Sequence, residues 1–200
     1  MKNRIPILLI YSRLIIGFAI VALALAENPQ KNVIVALFLI GLLTDIFDGI
    51  IARKLKISTE KLRRMDSSVD QVFFICIIGA TCIICPDFFL SNKVKLGILI
   101  GTEILAYAVC YLKFKKEIAT HSIGAKLWTL VLFFTLIQVI FECQSGGLFA
   151  LCFWFGIATR LEITAIILVL KKWTNDVPTI FHAIKLRNGK TIHRNKLFNG

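Results

Sequence analysis

Six long apolar blocks punctuate the chain, at about residues 5–26, 33–51, 69–86, 94–112, 127–141 and 148–170. Each approaches the roughly 20 residues an α-helix needs to cross the hydrocarbon of a bilayer. The blocks are continuous rather than alternating, which argues against membrane strands. A helix in lipid also satisfies its own backbone hydrogen bonds. The pattern predicts an all-α fold, an integral membrane bundle of six transmembrane helices. The second and third blocks turn amphipathic at the ends that flank residues 44–70, so their limits are the least sharp. The first block has a basic start like a signal peptide but only a loose Ala-Leu-Ala-Leu-Ala match to a cleavage site, and it is read as a mature span.

Composition supports this reading. Hydrophobic residues make up 57% of the 200 and charged residues 18%, against about 45–50% and 25% in soluble domains. No room is left for a large soluble domain, so residues 1–200 read as one membrane domain with a basic tail over 171–200. The net charge of +12 is distributed unevenly. Lys and Arg flank the start of the first block, fill the connections after the second and fourth, and crowd the tail, whereas the alternate connections are short and nearly neutral. The positive-inside rule then places both termini and the basic connections in the cytoplasm. Headgroup contact accounts for the charge better than nucleic acid, for which no binding module is visible. The six cysteines nearly all fall in apolar runs and read as small buried hydrophobes.

The chemistry concentrates in TDIFDGIIARKLKISTEKLRRMDSSVD, residues 44–70. Asp45 and Asp48 are three apart and share a helix face, as do Asp66 and Asp70, four apart. If the connection folds the two helix ends side by side, four carboxylates converge at the cytoplasmic side of the membrane. Packed carboxylates repel one another and resist desolvation, so cations must sit among them. Arg53 alone cannot balance four. Hard divalent cations, Mg²⁺ or Mn²⁺, suit oxygen ligands and phosphate substrates, and two such ions bridged by carboxylates suit displacement at phosphorus. Gly49 and Ala52, on or beside the same face, leave a groove where a bulky ligand can approach the backbone, and Arg53 can grip a phosphate bidentately.

Asp45-x2-Asp48-Gly49-x2-Ala52-Arg53 followed by Asp66-x3-Asp70 resembles the signature of the CDP-alcohol phosphatidyltransferases, D-x2-D-G-x2-A-R-x8-G-x3-D-x3-D. The one departure is Leu62, where the family has glycine. The resemblance implies a six-helix bundle, usually a homodimer, with a polar cavity open to the cytoplasm. It implies transfer of a substituted phosphoryl group from a CDP-linked lipid to an alcohol, with release of CMP, in phospholipid synthesis. It further implies two dications, one on Asp45, Asp48 and Asp66 and a second on Asp66 and Asp70. Asp70 is then the base, and Gly49, Arg53 and Thr59 line the CDP-lipid site. Two other classes fit the acids less well. An intramembrane prenyltransferase usually has two separated aspartate-rich motifs, and a cation transporter gives no reason for Gly49, Ala52 and Arg53 to accompany the acids.

Other polar residues interrupt the spans. Arg13, Glu103, Arg160 and Glu162 each lie roughly 10–15 Å from the cytoplasmic end of their helix, at about 1.5 Å per residue. Either arginine is a suitable partner for Glu103. Ser122, Gly124, Lys126 and Thr129 loosely resemble a stretch of the phosphatidylglycerophosphate synthases, which makes Lys126 a candidate contact for the phosphate of a glycerol 3-phosphate acceptor. Trp128 and Trp173 read as interfacial anchors.

Overall fold

The computed structural model describes residues 5–54, 60–116, 118, 122–144, 146–174 and 176–192, apart from the side chains of residues 5, 6, 52–54, 60, 61, 63 and 64. The described residues form helices α1 (Ile5–Ala24), α2 (Lys31–Lys54), α3 (Glu60–Ile84), α4 (Pro86–Ser91), α5 (Lys93–Phe114), α6 (Ile123–Glu142), α7 (Gly147–Val169) and α8 (Ile180–Arg187). Among the described residues, six helices (α1, α2, α3, α5, α6 and α7) are long and apolar enough to cross a membrane. These are the six blocks expected from the sequence. Pro86 opens α4, at a position where a missing N–H costs nothing.

The chain divides into two compact units: Met1–Phe89 with Leu136–Gln144, and Leu90–Thr135 with Ser145–Gly200. In the first unit α1 packs against both α2 and α3. Phe73 of α3 makes this close approach specific, because two glycines face its ring. A Cβ on Gly41 of α2 would lie 2.3 Å from its Cζ, and one on Gly17 of α1 would lie 3.3 Å from its Cδ2. Only side chains of this size let three helices meet around one aromatic ring. Phe38 adds a tilted ring contact to Phe73, with centroids 5.9 Å apart.

Cys85 and Cys143 are joined by a disulfide in the same unit, with their Cα atoms 5.1 Å apart. This corrects the reading of all six cysteines as buried hydrophobes. Each of the two immediately follows the last residue of its helix, α3 or α6, so the pair joins two helix ends. Cys76, Cys82, Cys110 and Cys152 remain thiols.

In the second unit α7 packs against α5 and α8. Ile166, Leu170, Val177 and Ala183 form a buried cluster with Phe114, Val169, Ile180 and Leu186 against it. The segment after the sixth span is therefore more than a polar tail: α8 packs on α7 and buries Ala183. Lys113 Nζ donates to the Ile167 and Leu168 carbonyls at 3.0 and 2.7 Å, which satisfies acceptors that the end of a helix leaves open.

Candidate active site

Three helices build the site. Asp45 and Asp48 project from α2, Asp66 and Asp70 from the first turns of α3, and Arg13 from α1, the helix that packs against both. Carboxylate oxygens of Asp45, Asp48 and Asp66 all lie within 4.8 Å of one another. The Arg13 guanidinium sits among them. Its Nη1 lies 3.1 Å from Asp45 Oδ1 and 3.2 Å from Asp66 Oδ1 and also contacts Asp70, while Nη2 contacts Asp48. All four aspartates singled out in the sequence thus meet on one side chain.

Burial is graded across the cluster. The side chains of Arg13 and Asp48 are 1% and 3% exposed, whereas those of Asp45, Asp66 and Asp70 are 37%, 30% and 32% exposed. Arg13 and Asp48 form the floor and the other three the open rim. Arg13 Nε is buried and has no hydrogen-bond partner among the described residues.

The donor set fits a hard cation. All the converging groups are carboxylate oxygens, the ligands preferred by Mg²⁺ and Mn²⁺. Three are already close enough to share one ion, and a positive group already stands in their midst. The guanidinium is here a stand-in for cationic charge.

The remaining sequence candidates are placed as follows. Gly49 lies on α2 one turn beyond Asp45, and Ala52 and Arg53 belong to the last turn of α2; the side chains of the latter two, like all of Thr59, lie outside the described residues. Leu62, in place of the family glycine, sits within α3. Lys126 is exposed in the first turn of α6, in the second unit. Ser122 caps that helix by accepting the Ala125 N–H at 3.1 Å. A Cβ on Gly124 would fall 3.0 Å from Glu162 Oε2.

Glu103 pairs with Arg160, not Arg13: Arg160 Nε donates to Glu103 Oε2 at 2.5 Å. The guanidinium stacks on the Trp128 ring, 3.8 Å from its centroid, and Trp128 Nε1 donates to the Cys152 carbonyl at 2.8 Å. The anchor expected at Trp128 is thus part of an internal polar group. The main residue missed by sequence reasoning is Arg13. Its signal was the charge count: four converging acids demanded a cation, and the first span carries one.

Comparison with known proteins agrees with the geometry. Residues 3–170 match the family model of the CDP-alcohol phosphatidyltransferases. A curated relative from Aquifex aeolicus (strain VF5), named CDP-diacylglycerol–glycerol-3-phosphate 3-phosphatidyltransferase, is 30% identical over 177 residues, covering 86% of this chain and 92% of the relative. No solved structure matches the chain. With its six apolar helices, its aspartate motif gathered at one place and a family match over most of its length, the chain belongs to the CDP-alcohol phosphatidyltransferase family of integral membrane enzymes.

Proposed function

We propose that this enzyme transfers a phosphatidyl group from CDP-diacylglycerol to glycerol 3-phosphate, at an active site formed by Asp45, Asp48, Asp66 and Asp70 and opening to the cytoplasm. The observation that carries the site is the convergence of all four signature aspartates on one buried arginine. The acceptor is supported by the name of the Aquifex aeolicus relative.

In this reading the acceptor hydroxyl oxygen bonds to the lipid-bearing phosphorus of the donor. The pyrophosphate P–O bond breaks, and CMP departs with the electron pair. Asp70, on the open rim, takes the hydroxyl proton; such a base typically contributes about 10²–10⁴ in rate. Asp45, Asp48, Asp66 and Asp70 hold two dications, Mg²⁺ or Mn²⁺, when these are bound. Their chemistry is to neutralise the pyrophosphate and stabilise the leaving group. Gly49 and Ala52 leave space for the donor, Arg53 grips its phosphate, and Thr59 lines the same site. The family resemblance further supports a homodimer, which light scattering on the purified protein tests.

The function is tested with purified protein, Mg²⁺, CDP-diacylglycerol and a panel of alcohols. Glycerol 3-phosphate is expected to yield CMP and phosphatidylglycerophosphate; product with another alcohol and none with glycerol 3-phosphate would reassign the acceptor. Orientation has its own test. Asp66 and Cys85 lie near opposite ends of α3, about 28 Å apart at 1.5 Å per residue. In a Cys82→Ser background, an impermeant maleimide on intact cells is expected to reach Cys85 and Cys143 only after reduction. Labelling of the pair only from the cytoplasmic side would reverse the orientation.

A further inference from the structure

We propose that Arg13 is the resident counter-cation of the acidic cluster, holding the carboxylates together in the metal-free protein and competing with the dication for them. The inference rests on the reading that the cluster binds dications, and it adds a determinant of metal affinity carried by the first helix.

Three observations point this way. First, Arg13 is almost completely buried within a membrane-spanning helix. A charge there requires compensation, and both terminal nitrogens find it in carboxylates. Second, the contacts are with all four signature aspartates rather than one. A planar guanidinium has its donors in a fixed fork and cannot make four well-formed ion pairs at once. It acts as spread positive charge within an acidic cage, unlike a partner in a dedicated pair. Third, the three carboxylates close enough to share an ion, Asp45, Asp48 and Asp66, are all Arg13 partners. A dication taking those oxygens meets a guanidinium already within bonding distance of them. The two cations carry like charge and use the same ligands, so each binds at the expense of the other.

Competition has a consequence for affinity. When the binding-competent form is only a fraction of the population, the apparent dissociation constant rises by the inverse of that fraction. Removing Arg13 removes that penalty, whereas a purely structural arginine would leave metal affinity unchanged or weaken it by loosening the cage.

The test is Mn²⁺ binding to the full-length purified protein, stripped of metal, with free Mn²⁺ followed by its electron paramagnetic resonance signal. Arg13→Gln is expected to bind Mn²⁺ about tenfold more tightly than wild type, the gain if the arginine-free cage is populated about one-tenth of the time. The metal-free variant is expected to melt below wild type and to gain more stability from Mn²⁺ than wild type does. A second comparison covers the case in which Arg13→Gln alone does not fold. Arg13→Gln/Asp70→Asn removes one charge of each sign and keeps Asp45, Asp48 and Asp66; it is expected to show the same gain over Asp70→Asn alone. Binding by the Arg13 variants where wild type shows none also supports the proposal. Equal or weaker affinity in the Arg13 variants, with Mn²⁺ binding by wild type that Asp48→Asn abolishes, overturns it and leaves the metal site standing. Absence of cluster-dependent binding in every variant overturns the dication reading itself.

Discussion

Arg13 and Arg160 both lie inside apolar helices, and the two units hold them in different ways. Among the described residues, Arg160 meets one carboxylate, Glu103, and spreads its remaining surface over Trp128 and the Thr159 hydroxyl. One charge is matched by one opposite charge and an aromatic face, an arrangement that is complete as it stands. Arg13 meets four carboxylates. Four carboxylates share that one guanidinium, whose fixed fork cannot pair fully with all of them. The dedicated pair has the form of structure, and the shared guanidinium has the form of a cation held within an acidic cage.

The contrast can be broken or sharpened by substitution. Apart from the base Asp70, the largest effect is expected at Asp48, the most buried of the four acids. Asp48→Asn should lower turnover by about 10²–10³, the usual cost of removing one group that stabilises developing charge, and should lose Mn²⁺ binding in the titration above. Arg160→Gln should behave differently, costing about 2 kcal/mol of stability through the lost ion pair and stacking, read as a lower unfolding midpoint, while leaving Mn²⁺ affinity unchanged. A change in Mn²⁺ affinity would erase the distinction between the two arginines.

The glycines give a pair of effects of about the same size. Gly41→Ala pushes a methyl into the Phe73 ring, and Gly156→Ala pushes one to within 2.7 Å of Trp128 Nε1. Each should cost about 1–3 kcal/mol from overpacking. The first should also weaken Mn²⁺ binding, because Gly41 lies one turn before Asp45; the second should not. The smallest effect is expected for Glu103→Gln, which removes the charge of the pair but leaves Arg160 an acceptor oxygen and its stacking on Trp128.

Much of this was legible in the sequence because the signals are local. The six blocks became the six long helices because runs of apolar residues of that length have one low-energy form in lipid. The aspartates were legible through spacing: intervals of three and four put each pair on one face, and the motif tied the pairs together. Arg13 was not assigned because its partners lie 32 to 57 positions away, and choosing between Arg13 and Arg160 for Glu103 requires knowing which helices pack. Cys85 and Cys143 were obscured in the same way: each looks like one more small apolar residue until the ends of α3 and α6 are seen together. Trp128 carried the composition of an interfacial anchor, and only the stacking of Arg160 on its ring shows its internal role.

The central claim is that the aspartates gathered around Arg13 perform phosphatidyl transfer. Its most direct test is the rate of CMP release from CDP-diacylglycerol with glycerol 3-phosphate and Mg²⁺, comparing wild type with Asp70→Asn at equal folded concentration. The account predicts a loss of about 10²–10⁴ for the variant with an unfolding midpoint close to that of wild type. Near-normal CMP release from Asp70→Asn would contradict it.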